Sequence, residues 1–307
     1  MKHTWKITTV LLSMFFIAQL LGIFVVHQYA SSDDTTLPYG MEPPEDVEPR
    51  SAFDLVLSFA IAFSIVVVIM LILTKYNAET FLRLWFFAVV TLAIGITLNS
   101  VILKVPYASL IAFLVALPLA FYKIFKRNLI VHNITELFVY PGIAAIFVVL
   151  LMSWTKAPLL AVIVILILIS LYDMYAVWHA GFMQKMAQYQ IQKLRVFTGF
   201  FIPYIGKKER QALARAEKSK TKSKKAKEKK VKVGIAILGG GDVVFPIILA
   251  GVVLLQIGLI SALFVAMGAT LALLTLFYLS EKGKFYPAMP FITTGCFIAL
   301  GVARLLF

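Results

Sequence analysis

Long apolar stretches separated by short polar ones set the pattern of this chain. Leu, Ile, Val, Phe and Ala fill nine runs, at about residues 5–26, 52–74, 82–103, 106–122, 136–154, 157–181, 233–255, 258–280 and 286–306. A helix of about 20 residues rising 1.5 Å each spans a hydrocarbon core of roughly 30 Å. The runs lack the polar–apolar alternation of lumen-facing and lipid-facing barrel strands, so they read as helices packed against lipid and one another. The pattern predicts an all-α membrane protein with nine transmembrane helices. The first run follows Lys2 and Lys6 as a signal peptide would, but it is longer than a usual signal core. Gln28 and Tyr29 also stand where small residues should precede a cleavage at Ala30, so it is read as a membrane helix.

Composition extends this reading to the whole chain: 61% of the 307 residues are hydrophobic and 14% charged, against roughly 45–50% and 25% in soluble domains. The charges orient the helices. With the N-terminus inside, inner loops hold Lys2, Lys6, Lys75, Arg83, Lys123, Lys126, Arg127, Lys282 and Lys284. Outer loops hold Arg50, Lys104 and Lys156, and the first is acidic (Asp33, Asp34, Glu42, Glu45, Asp46, Glu48). The positive-inside rule therefore predicts N-in and C-out.

Residues 182–232 carry 16 of the 29 Lys and Arg and three Glu, so their net +13 is nearly all of the chain's +14. This divides the chain into helices one to six (1–181), a basic cytoplasmic linker (182–232) and helices seven to nine (233–307). The run Lys218–Lys232 has no aromatic residue to stack on bases, which disfavours nucleic acid and favours a solvated loop drawn to anionic lipid heads. The preceding stretch, 183–206, is amphipathic enough to lie along the inner surface.

Of six aspartates, Asp33, Asp34, Asp46 and Asp54 lie in or beside the first outer loop, and the nine glutamates lie in loops or at helix ends. Asp173 and Asp242 remain deep in apolar sequence, where an acid costs roughly 2.5–3.5 kcal/mol on insertion scales and marks function by default. Asp173 stands twelve residues before Lys185 and Asp242 ten after Lys232. As helix these are about 18 Å and about 15 Å, so two antiparallel helices bring the acids to one level. Gly239, Gly240 and Gly241 each weaken a helix by about 1 kcal/mol, a cost offset by close backbone approach or by local unwinding. Pro246 has no N–H for the carbonyl of Asp242 and loosens the helix at the acid. Two carboxylates in contact cannot both ionise easily and tend to share one proton, the state an aspartyl protease uses. The ionised member takes a proton from attacking water while the protonated member donates to the peptide carbonyl.

These residues carry a resemblance. Tyr172-Asp173 and Gly239-Gly240-Gly241-Asp242 resemble the YD and GxGD motifs of the presenilin and signal peptide peptidase family of intramembrane aspartyl proteases. Pro287-Ala288-Met289 stands where that family has Pro-Ala-Leu, before helix nine. Met289 replaces leucine, and Gly240 replaces a larger apolar residue. The proline after the aspartate is similar to the signal peptide peptidase branch, the orientation to presenilin, and the short loops to archaeal presenilin homologues. The resemblance implies a presenilin-like nine-helix fold with Asp173 and Asp242 catalytic. It also implies that Tyr172, Gly239, Gly240, Gly241, Pro287, Ala288 and Met289 meet a single-pass transmembrane substrate, without metal, cofactor or obligatory protein partner.

Apart from the family, Met289 precedes Pro290 and is expected to be extended, a piece fit for strand addition to an unwound substrate; a proline in the first turn of helix nine is the competing reading. Tyr172 either hydrogen-bonds near Asp173 or packs between helices. The four histidines form no metal pattern, and the lone Cys296 can form no disulfide within the chain. Asn133-Ile134-Thr135 is a glycosylation sequon on the inner side, read as incidental. The rival from another class is an ion-coupled transporter, which also uses membrane acids on broken helices; a non-catalytic scaffold would tolerate Asn at both acids.

Overall fold

The computed structural model describes residues 5–30, 37–41, 51–76, 78–126, 128–180, 198–204, 234–280 and 286–306. Six helices come first: α1 (Trp5–Ala30), α2 (Ala52–Lys75), α3 (Glu79–Val101), α4 (Ala108–Phe125), α5 (Leu129–Trp154) and α6 (Pro158–Tyr175), which continues into a wide π turn at Ala176–Ala180. Strands β1 (Gly199–Tyr204) and β2 (Gly234–Gly239) follow, then α7 (Gly240–Gln256), α8 (Leu259–Leu279) and α9 (Met289–Leu306). Among the described residues eight helices have the length and hydropathy to cross a bilayer, and α7 is a shorter apolar helix. The first acidic loop, most of the basic segment and the Lys282–Lys284 loop lie outside the described residues.

The seventh apolar run departs from a continuous helix. Its first six residues form β2, and the helix begins at Gly240. The glycines explain the division, because a segment this rich in glycine gains little from helix and its extended part finds a partner. β2 pairs antiparallel with β1, Gly199 opposite Gly239 and Tyr204 opposite Gly234. β1 ends the stretch read as amphipathic. Its Phe-Phe-Ile core suits a strand, and the rest of that stretch lies outside the described residues. Extended residues rise about 3.3 Å each, so the helical rise underestimates the path from Lys232 to Asp242.

α5 starts seven residues before the fifth apolar run. Asn128 caps it, its side chain accepting from the N–H groups of Ile130 (2.9 Å) and Val131 (3.3 Å), so a polar first turn is held in helix. At the other correction, Met289 is not extended: it opens α9, and Pro290 lies in the first turn, where a missing N–H costs nothing.

α7 is the hub of the molecule. It packs against α1, α5, α6, α8 and α9, and every residue from Pro246 to Leu254 is buried. Pro246 loosens the first turns, and Gln19 of α1 donates from Nε2 to the carbonyl of Val243 (3.1 Å) there. α8 and α9 approach through glycines, since a Cβ on Gly268 or on Gly295 would strike the other's carbonyl. α2 sits apart, with Ile61, Ile65, Val66 and Val68 exposed as in a helix facing lipid.

Candidate active site

Asp242 is the third residue of α7, after Gly239 at the cap. Its carboxylate reaches back to accept from the N–H of Gly239, half of a capping box. A Cβ on Gly239 would sit 3.1 Å from Oδ2 of Asp242, so the missing side chain is what lets the carboxylate fold onto the backbone. A Cβ on Gly240 would meet the ring of Tyr140 at 3.0 Å and its hydroxyl at 3.2 Å, while Gly241 faces open space apart from Phe245 at 3.8 Å.

Asp173 lies one turn before the end of α6, buried. Its Oδ2 accepts from the N–H of Met289 at 3.1 Å, and the N–H of Ala288 also bonds this carboxylate. The first N–H groups of a helix have no partner within it, so the start of α9 is aimed at an anion. One turn away, Ser170 donates to Thr293 Oγ1 at 2.9 Å, tying α6 to α9 beside that contact. α6 and α7 pack together, and the Asp173 and Asp242 carboxylates lie within direct electrostatic reach of each other.

Of the residues singled out from sequence, Asp173, Asp242, Gly239, Gly240, Ala288 and Met289 are thus drawn into one place. Tyr172 turns outward and meets Phe63 of α2 edge-on at 5.4 Å, which favours the packing reading of its ring. Beside α7, an apolar cavity of about 340 Å³ lies between α2, α5, α6 and α7, lined by Phe59, Trp154, Val162, Ile165 and Phe245 among others.

Sequence reasoning missed a second polar cluster. Lys123 Nζ pairs with Glu136 Oε1 at 2.6 Å, both side chains buried, and His132 lies 3.5 Å from the same oxygen. Glu136 was read as a helix-end acid, yet it stands two turns inside α5. The signal was present in the spacing: His132, Glu136 and Tyr140 repeat at i, i+4, i+8 and so share one face. Among the described residues no group of His, Cys, Asp and Glu could hold a metal.

A family model described as signal-peptide peptidase, presenilin aspartyl protease matches residues 12–307. Two solved structures of a presenilin family intramembrane aspartate protease have the same fold. The one in space group C222 has TM-score 0.60 and 16% identity with 99% of each chain covered, and the one in P2 has TM-score 0.60 and 17% identity with 97% of each covered. Among curated proteins none matches.

Proposed function

The chain belongs to the signal-peptide peptidase and presenilin aspartyl protease family, and from that premise we propose that Asp173 and Asp242 are the catalytic pair of this multi-pass intramembrane aspartyl protease. The observation that carries the assignment is convergence. Asp173, near the end of α6 and bonded by the start of α9, and Asp242, on the first turn of the adjacent α7, lie within electrostatic reach of each other.

The reaction follows from two carboxyl groups sharing one proton. The ionised carboxylate takes a proton from a water whose oxygen bonds to the peptide carbonyl carbon, and the protonated partner donates to the carbonyl oxygen. Collapse of the tetrahedral gem-diol breaks the C–N bond, the nitrogen leaves with a proton from the first acid while a hydroxyl of the gem-diol gives its proton to the second, and the pair returns to its starting state. No metal or organic cofactor enters this sequence.

The substrate is a single-pass transmembrane helix that unwinds to expose its scissile bond. The apolar cavity beside Phe245, flanked by lipid-facing α2, suits the helical part. The extended part finds a strand edge at β2, whose last residue stands three before Asp242. Tyr172, Gly239, Gly240 and Gly241 flank that path. Ala288 and Met289 hold Asp173 through their N–H groups, so their part in substrate binding is by positioning the acid, and Pro287, which has no N–H to give, leads the chain into them. The charge distribution supports N-in, C-out insertion in the cell membrane, with the 182–232 segment cytoplasmic and substrates entering N-out.

Purified protein in detergent, given a labelled single-span peptide, tests this. The native chain cleaves, and Asp173→Asn and Asp242→Asn each lose at least about 100-fold, the lower range for a removed general acid or base. Cleavage surviving either change overturns the pair, and proton flux in liposomes without cleavage points to the transporter reading.

A further inference from the structure

The edge of β1 remote from β2 is covered by side chains of α5. Asn133 accepts from the N–H of Phe201 through Oδ1 (2.9 Å) and donates to its carbonyl through Nδ2 (2.7 Å). His132 Nε2 meets the carbonyl of Gly199 at 2.8 Å, and Glu136 Oε1 accepts from the N–H of Gly199 at 3.3 Å. Gly199 and Phe201 are two apart and so present their N–H and C=O groups to the same edge. The opposite set faces β2, as the bond from Gly240 N–H to the carbonyl of Thr198 (3.2 Å) indicates. Three side chains on the first two turns of a helix thus supply the hydrogen bonds of a third strand.

Such a device has a physical purpose here. A two-stranded sheet is marginal alone, and glycine-rich strands specify their register weakly. This one has Gly199, Gly234 and Gly239 among its paired residues. A slip would carry Gly239 and Gly240 away from their partners and move Asp242 with them. The buried Lys123–Glu136 pair fits the same purpose. Ion pairs out of water add little stability over apolar residues and are best attested as devices that fix register. Here Lys123 meets the same oxygen of Glu136, Oε1, that accepts from the N–H of Gly199, and it also stands 3.4 Å from Nδ1 of His132. One turn on, Tyr140 packs against Gly240 and, edge-on at 5.3 Å, against Phe200, so α5 holds both β1 and the start of α7.

We infer that His132, Asn133 and Glu136, braced by Lys123, are positioning residues that pin the register of β1 on β2 and thereby set which bond of an extended substrate reaches the aspartates. The second half of that statement rests on the proteolytic reading; the first does not. The register is therefore read without catalysis, by disulfide formation in the full chain between cysteines at Phe201 and Ile237, which are partners, or at Phe201 and Ile235, which meet only after a two-residue slip. Cys296 is buried and does not compete.

With α5 intact the 201–237 pair cross-links and the 201–235 pair does not. In Asn133→Ala, and in Lys123→Met combined with Glu136→Gln, which removes the charges together, the slipped pair rises to within about threefold of the native one. Mass spectrometry of the peptide products from the same α5 variants without added cysteines then shows new ends one or two residues from the native cut, with KM within about twofold. Cross-linking confined to 201–237 in both variants overturns the pinning. A slipped register with unchanged product ends overturns its link to the cleavage site. Loss of total activity with register and product ends unchanged reduces α5 to a structural part. Asp173→Asn that still cleaves would instead strike the proteolytic reading and leave the cross-linking result standing.

Discussion

Gly239, Gly240 and Gly241 follow one another, yet an added methyl group meets a different neighbour at each. At Gly240 it meets Tyr140, fully buried and wedged against Phe200, which has little room to give. Gly240→Ala should therefore cost about 1–3 kcal/mol, the usual range for overpacking, and lower the melting temperature in detergent. At Gly241 nothing lies closer than the ring of Phe245, and alanine is the better helix former, so Gly241→Ala should leave the melting temperature unchanged or raised. At Gly239 the methyl group crowds the carboxylate of Asp242 rather than the core. That variant should keep its melting temperature and lose kcat. Melting curves beside cleavage kinetics for the three variants would separate these outcomes, and a common loss of stability at all three would refute the assignment of neighbours.

At the scale of elements, the contact between α6 and α9 decides whether the helix N-terminus stays aimed at Asp173. Ser170 and Thr293 join these helices one turn from the acid. Hydrogen bonds between membrane helices average about 0.6 kcal/mol, so Ser170→Ala and Thr293→Val should each lower stability by about that amount. In a double-mutant cycle the two should be coupled, and each single variant should lose more in kcat than in KM; strictly additive effects would mean the pair does not hold α9 in place. Elements were legible in the sequence to differing depth, for physical reasons. Length and apolarity decide where a helix can cross a bilayer, so the spans were visible, as were the two acids that no apolar run explains away. β2 was hidden because an apolar run of glycine, isoleucine and leucine has the composition of a membrane span, and its partner lies in a stretch that reads as linker. The first turns of α5 were hidden because hydropathy scores Glu136 and His132 as solvated, while the charge of Glu136 is met by Lys123 and the polar groups of both side chains by the backbone of β1. Met289 was misjudged because the bias against helix before proline yields at a helix start, where the N–H groups are free to bond Asp173.

The whole molecule has a direction in the membrane, and that direction decides which substrates can be cut. Lys and Arg concentrate in the loops assigned to the inner side, above all in residues 182–232, and few lie in those assigned to the outer side. The single native cysteine is buried, so a cysteine introduced at the surface reports its side alone. In intact cells, Ser223→Cys, within the basic run, should resist a membrane-impermeant thiol reagent until the membrane is opened, whereas Lys156→Cys, between α5 and α6, should react at once. The two sites lie on opposite sides of the predicted arrangement, so each controls for the other. This pattern would commit the protease to helices that enter with their N-termini outside. The reverse pattern would turn the protein over, and with it the substrate: the strand edge at β2 would then receive a chain running the other way, and peptides with their N-termini inside should be cleaved in its place.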